Sequence, residues 1–298
     1  MIDNIKFKIS TIDKLRFEES IEKNELISLR STFDRQTGEA NDYPKVGRLQ
    51  NMEIRITKKA AIVKGSIHKY YNLMKGLGNQ NYNDFSFKQF KLAIDDLCEK
   101  LQLDKKETKI TNLEFGFNIT VSKNPKLLLD EHILMFDLKD HNRKHNYKGN
   151  GSYKEFERTD YKIKIYDKGK QYSILDRNLL RVELKIIASR YLNRLGIINL
   201  NQLGNYAFKS LFEAFLTHLN KLTIVDSLKA PEDIRIDQRI LFDYCINPNH
   251  WSRIGTQEKK ETLRELKKLI KKYHLNKTHC VLRDDIITKY LFLMDIKS

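Results

Sequence analysis

The sequence predicts an α+β protein in which an antiparallel sheet carries helices on one face and is followed by a helical C-terminal region. Three observations predict it. Apolar and polar residues alternate with period two in several segments before about residue 190. From Leu200 onward the apolar spacing becomes helical. The 298 residues are 40% hydrophobic and 32% charged, which suits a globular chain able to bury a sizeable core.

The elements follow in order. Residues 3 to 10 alternate as a strand. Met52 to Thr57 leads through a turn at Lys58-Lys59 into Ala60 to His68, a hairpin. Phe87, Phe90, Leu92, Ile94, Leu97 and Leu101 fit a helix that opens near Asp84 or Ser86. In Ile110 to Ile119, Leu113, Phe115, Phe117 and Ile119 make a core face, and Glu114, Gly116 and Asn118 lie opposite. Residues 131 to 138 fit either a helix or a strand, and Asp140 to Ser152 reads as a polar loop. Ser152 to Arg158, a turn at Thr159-Asp160 and Tyr161 to Lys168 form a second hairpin, followed by a strand around Arg181. Helices are expected over Tyr206 to Leu222, Ile234 to Tyr244, Gln257 to Tyr273 and Arg283 to Phe292. With four prolines, no Ser/Gly-rich linker and no repeat, no boundary stands out; the change of pattern suggests an α+β unit over 1–227 and a helical region over 228–298.

Composition narrows the partners. The net charge is +16, which favours a polyanion, with nucleic acid ahead of membrane because no basic amphipathic anchor stands out. Codon bias toward lysine and asparagine is the competing explanation. No apolar run reaches bilayer length, and the N-terminus begins directly as a strand without a signal-peptide core, so a cytoplasmic protein is expected. Cys98, Cys245 and Cys280 form no CxxC pair, which argues against a disulfide framework and a zinc module. There is no GxxxxGK[ST] and no GxGxxG, and Gly76-Leu77-Gly78 reads as a turn.

Four segments set polar residues opposite their apolar stripe: Lys64/Ser66/His68, Glu114/Asn118, Lys162/Lys164/Tyr166/Lys168 and Arg181/Glu183/Lys185. If they share a sheet, a tyrosine, two carboxylates, a histidine and many cations converge on one surface. Such a set suits phosphoryl transfer: carboxylate or histidine ligands hold a divalent cation, cations offset phosphate charge, and a tyrosine hydroxyl attacks. Flanking lysines would stabilise its phenolate. The competing reading is the ordinary polar face of a one-sided sheet, with Tyr166 simply one of fourteen tyrosines.

Gly65-Ser66-Ile67-His68-Lys69-Tyr70-Tyr71-Asn72, followed by Asn79 to Phe85, resembles a segment of filamentous-phage gene II-type replication initiators. Leu113-Glu114-Phe115, Lys164-Ile165-Tyr166-Asp167-Lys168 and Leu180-Arg181-Val182-Glu183-Leu184 then resemble, in order, strands of that family and of the Rep_trans plasmid initiators. The resemblance runs from about residue 50 to 225. It implies a Rep/HUH-like endonuclease core and a rolling-circle initiator that nicks origin DNA, single-stranded or supercoiled, leaving a 5′-phosphotyrosine and a free 3′-hydroxyl. Tyr166 is then the nucleophile, assisted by Lys168, with Glu114 a ligand of Mg²⁺ or Mn²⁺ and Glu183 a second ligand or orienting group. His68 is a further candidate ligand, from the residues alone. The implied partners are origin DNA and a host helicase and polymerase. This chain carries Glu114 where the family has Asp, and Asn112 where it has Arg; His141 and His145 sit at the wrong spacing for a His-hydrophobe-His pair.

Lys64, Lys69, Lys162, Lys164 and Arg181 are the expected DNA contacts on this unit. Lys260, Arg264, Lys267, Lys268 and Lys271 are expected contacts on the basic helix, whose alternative is a solvated face. Two other classes stay open: a non-catalytic origin-binding or regulatory protein on the same scaffold, and an RNA-binding protein, which lacks here an RNP-type aromatic pattern.

Overall fold

The computed structural model describes residues 1–9, 13–34, 36–140, 150–174 and 176–296. Most of the expected polar loop, with His141 and His145, lies outside the described residues. The chain runs β1 (Ile2–Ile9), α1 (Lys14–Glu22), β2 (Lys45–Leu49), β3 (Met52–Ile56), β4 (Ala61–Ser66), α2 (Ile67–Met74), α3 (Phe87–Lys100) and β5 (Thr108–Thr120). It continues through α4 (Pro125–Leu127), β6 (Ile133–Phe136), β7 (Tyr153–Glu157), β8 (Tyr161–Asp167), α5 (Lys168–Gln171), β9 (Leu179–Ile186), α6 (Ser189–Arg194), α7 (Asn205–Leu219) and β10 (Leu222–Ile224). Helices α8 (Ile236–Ile246), α9 (Pro248–Arg253), α10 (Thr256–Lys272) and α11 (Lys277–Leu293) complete it. No helix among the described residues is long and apolar enough to cross a membrane.

The architecture is α+β, as the alternation predicts. Eight strands form one sheet in the order β2-β3-β4-β1-β5-β9-β8-β7, and each paired neighbour is antiparallel. Strand β5 lies near its middle because its apolar residues 113, 115, 117 and 119 are spaced to bury on one face. Against that face pack Phe208, Phe212 and Phe215 of α7. The Phe208 ring lies 5.1 Å from Phe90 and 6.2 Å from Phe115, and Phe215 lies 5.3 Å from Phe117. Phe208 thus joins α3, α7 and the sheet. Phe208→Ala is expected to cost about 3–5 kcal/mol in urea unfolding; a loss well under 1 kcal/mol would mean that the site collapses or that the ring is not a core element.

A smaller core of Phe242, Cys245, Trp251, Leu263, Leu266, Leu269 and Ile270 holds α8, α9 and α10 together. Helix α11 does not belong to it. It returns to the main core, where Tyr290 stacks on Phe212 at 3.7 Å, so the helical region expected over 228–298 is divided between two cores.

One element differs in a way that matters for the site. The alternation carries the β4 strand on to His68, but the strand stops at Ser66, whose hydroxyl accepts from the Lys69 amide and caps α2. The sequence Gly65 to His68 fits both periods, and the cap decides between them. Helices α1 and α2 and strand β2 were not anticipated. Residues 131–138 contain both open alternatives, a helical turn over Leu128–His132 and then β6.

Candidate active site

The strand registers bring the polar residues together. Glu114 pairs with Lys185, Gly116 with Glu183 and Asn118 with Arg181. Glu183 in turn faces Lys164, and Arg181 faces Tyr166. Glu114, Tyr166 and Glu183 therefore share one face of the sheet, opposite the apolar side. Gly116 shapes this face. A β-carbon there would lie 2.3 Å from the Val182 carbonyl oxygen and 2.9 Å from Cγ of Glu183. Its absence lets the Glu183 side chain lie across β5.

A third carboxylate joins them. Asp3 sits where the β1–β5 register shifts between Ile2 and Ile5, and its carboxylate comes close to the two glutamates. One oxygen from each of Asp3, Glu114 and Glu183 lies within 4.8 Å of the others, and all three residues are buried. Among the cations, Arg181 donates from Nε to Glu183, from Nη2 to Asp3 at 3.0 Å and from Nη1 to Asn118 at 2.8 Å. Lys164 lies 2.9 Å from Glu114 and 3.3 Å from Glu183, and Lys185 lies 2.8 Å from Glu114. Burial is the largest single influence on Asp3 and Glu183 and raises both pKa values, but the neighbouring basic groups together outweigh it, Arg181 first, then His68 and Lys168 at Asp3 and Lys164 and Lys168 at Glu183, so both are held below the ordinary carboxylate range.

Asn81, in the loop between α2 and α3, ties the site to its surroundings. Its amide donates to Asp3 at 2.6 Å, and its side-chain oxygen accepts from Lys168 Nζ and from the Tyr172 hydroxyl, both at 2.7 Å. The sequence reading gave neither Asp3 nor Asn81 a role. A signal for Asp3 existed: it is a carboxylate in the phase of Ile5, Phe7 and Ile9, out of step with Lys6 and Lys8. Asn81 sits in a segment without periodicity and gave none beyond the family resemblance.

Tyr166 donates its hydroxyl to Glu183 Oε1 at 3.2 Å, and its ring is 7% exposed. The expectation that flanking lysines stabilise its phenolate is not met. Burial and then Glu183 push its pKa well above 10, because Lys162 and Lys164 are spent on carboxylates of the neighbouring strands. Lys168 is buried too, with Nζ 5.4 Å from the centre of the Tyr166 ring. Burial, with Arg181 second, lowers its pKa to about 7. Unfolded Lys168 stays protonated up to about pH 10. Between these values the unfolded state binds the extra proton, so this residue makes stability rise with pH above about 7. Lys168→Met is expected to flatten that rise in urea titrations from about pH 6 to 9; identical slopes would contradict the buried, neutral lysine.

The remaining expected residues scatter. His68, on α2, has Nε2 2.8 Å from Asn83 Oδ1 and stacks on Phe85 at 4.5 Å; burial lowers its pKa to about 3. It lies outside the three-carboxylate group, because the cap at Ser66 turns the chain away. Lys162 pairs with Glu155 at 2.9 Å and Glu157 at 3.2 Å, and Arg181 is 2% exposed, so the cations expected to meet DNA at this end are engaged within the protein. Lys64 pairs with Glu53 at 3.0 Å, and Lys69 lies 5.9 Å from the Tyr172 ring. Lys260, Arg264, Lys267, Lys268 and Lys271 are all exposed on α10, around a groove that also includes Asp137 and Leu138.

The donor set fits a hard divalent cation. Three carboxylates from three adjacent strands offer oxygen ligands, as Mg²⁺ and Mn²⁺ prefer. Lys164 now supplies part of the counter-charge. Its long stem and 16% exposed side chain give it room to withdraw.

No family model matches the chain, and no curated protein matches it. Among solved structures the chain is similar to a rolling circle replication initiator protein from Geobacillus stearothermophilus. The identity is 11% and the TM-score 0.39, over 80% of this chain and 90% of that one. A likeness at this level bears on neither residues nor mechanism.

Proposed function

We propose that this protein is a rolling-circle replication initiator that nicks DNA by tyrosine transesterification. One observation carries the reading: the Tyr166 hydroxyl donates to Glu183 inside a group of three carboxylates on one sheet face. The Tyr166 oxygen, oriented by its hydrogen bond to Glu183, attacks the scissile phosphorus as its proton passes to water, because Glu183 is held too acidic to keep it. A bond forms between Tyr166 and phosphorus, and the bond to the 3′-oxygen breaks. That oxygen takes a proton from water and becomes the 3′-hydroxyl that a host polymerase extends, while the 5′-phosphate stays on Tyr166. Lys164 offsets charge on the phosphate oxygens, and Lys168, whose pKa near 7 a phosphate anion would raise, joins it once protonated. A Mg²⁺ or Mn²⁺ ion held by Asp3, Glu114 and Glu183 would polarise the scissile phosphate. The α10 stripe, with Lys64 and Lys69, supplies phosphate contacts.

The metal assignment has its own test. Lys164→Met removes a cation that competes for Glu114 and Glu183, so Mn²⁺ binding measured by calorimetry is expected to tighten. Equal or weaker binding counts against the cluster as the metal site.

A second reading is DNA binding without chemistry, and the burial of Tyr166 is the observation in its favour. One experiment separates the two. The protein is incubated with Mg²⁺ and supercoiled or 3′-labelled single-stranded DNA from its own replicon, then run on a denaturing gel. The enzyme yields a covalent band that keeps the 3′ label; a binder yields none.

A further inference from the structure

The free positive charge of the open sheet face lies away from Tyr166. At the Tyr166 end, Lys162, Lys164, Arg181 and Lys185 are all paired with carboxylates. The other half, β2-β3-β4-β1, differs. Register places Arg48 opposite Glu53, Glu53 opposite Lys64, Lys64 opposite Lys6, and Lys6 opposite Asn112, two residues before Glu114. The next rung carries Arg55, Ile62 and Lys8. Lys8, Arg48, Arg55 and Lys64 are exposed and Lys6 is half-buried. Glu53 is the carboxylate on these rungs, and it pairs with Lys64. Lys6, Lys8, Arg48 and Arg55 have no ion pair among the described residues. Beside them opens a polar groove of about 420 Å³ lined by Asn4, Gln50, Asn51 and Asn79 together with Arg48 and Lys64.

We infer that this half of the face is a track for the phosphodiester backbone of the DNA flanking the cut site, leading to Glu114. The inference rests on the proposed nicking reading for its direction, but not for the binding itself. Four unpaired cations span three strand spacings of about 4.8 Å each. They are fixed by the sheet, so little side-chain ordering is needed beyond the stems. No aromatic side chain occupies these rungs, which leaves no stacking platform for bases. Contact is therefore with phosphates: insensitive to sequence and strongly dependent on salt.

The test compares two charge-matched variants of the full chain. The track variant carries Lys6→Gln, Lys8→Gln, Arg48→Gln and Arg55→Gln. The control carries Arg16→Gln, Lys88→Gln, Lys91→Gln and Lys209→Gln, all exposed on α1, α3 and α7, helices of the opposite, apolar side. Affinity for a single-stranded 30-mer of mixed sequence is measured against salt concentration. The slope of log K on log salt is expected to fall by about 0.7 per lost contact in the track variant and to change much less in the control. An unchanged slope in the track variant, or an equal fall in both, overturns the track. Matching thermal midpoints for both variants exclude misfolding as the cause. A short oligonucleotide confined to the cut site should give the track variant as much covalent product as the wild-type protein. If no protein forms that product, the nicking reading fails while the salt slopes still decide the track.

Discussion

Tyr166→Phe is expected to remove the covalent protein–DNA band altogether while leaving DNA affinity unchanged. The substitution deletes one oxygen from a buried ring. The phenyl body keeps its place, and its neighbour Tyr153 stays 6.0 Å away. The lost hydrogen bond to the ionised Glu183 costs about 1.5–3 kcal/mol of stability, too little to unfold a domain of this size. A fall of several orders of magnitude in nicking at constant affinity marks the loss of the attacking atom. The alternative outcome is equally clear. If the variant still forms adduct, another hydroxyl attacks; Tyr172, which shares Asn81 with Lys168, is the next to replace. If wild type and variant bind alike and neither forms adduct, the protein is a binder.

Arg181→Met is expected to cost about 3–5 kcal/mol of stability near neutral pH. Arg181 is buried, and its three nitrogens satisfy Glu183, Asp3 and Asn118. Methionine fills similar volume but leaves two carboxylates without their main counter-charge. The pH dependence gives a signature that simple loss of packing lacks. In the wild-type protein Arg181 holds Asp3 and Glu183 below the ordinary carboxylate range. The stability this brings is present above about pH 4 and is lost as acid protonates the folded carboxylates. The gap between wild type and variant should therefore narrow on acidification, as followed by urea unfolding in EDTA. A gap constant from neutral pH to about pH 3 would point to packing alone.

The sheet was legible because one-sided burial writes period two into β5, β8 and β9, and their shared polar face follows from that period. The core helices were legible for the same reason at period 3.6. What alternation cannot supply is the partner across each strand gap. Lys162 and Lys164 look like free cations along β8, and only the register to β7 and β9 reveals Glu157 opposite Lys162 and Glu155 and Glu183 opposite Lys164. The same blindness reversed the expected pKa of Tyr166 and hid the unpaired cations of β1, β2 and β3. Asp3 was missed because a bulge, not the period, brings it to the site. His68 was misplaced because four residues fit strand and helix equally, and a hydroxyl cap settles the choice.

Gly116 contributes no atom to the chemistry, yet it makes possible a control of a kind that charge-removing variants cannot provide. Gly116→Ala leaves the net charge, every carboxylate, every cation and Tyr166 in the chain. The added methyl meets the Val182 carbonyl and the Glu183 side chain, so β9 must shift and Glu183 must leave its place across β5. A protein of this composition should run on an ion-exchange column and fall onto DNA as the unaltered chain does, while its carboxylates no longer meet. It separates attraction to a polyanion from the proposed cutting of it, in a molecule where sixteen surplus positive charges otherwise blur the two.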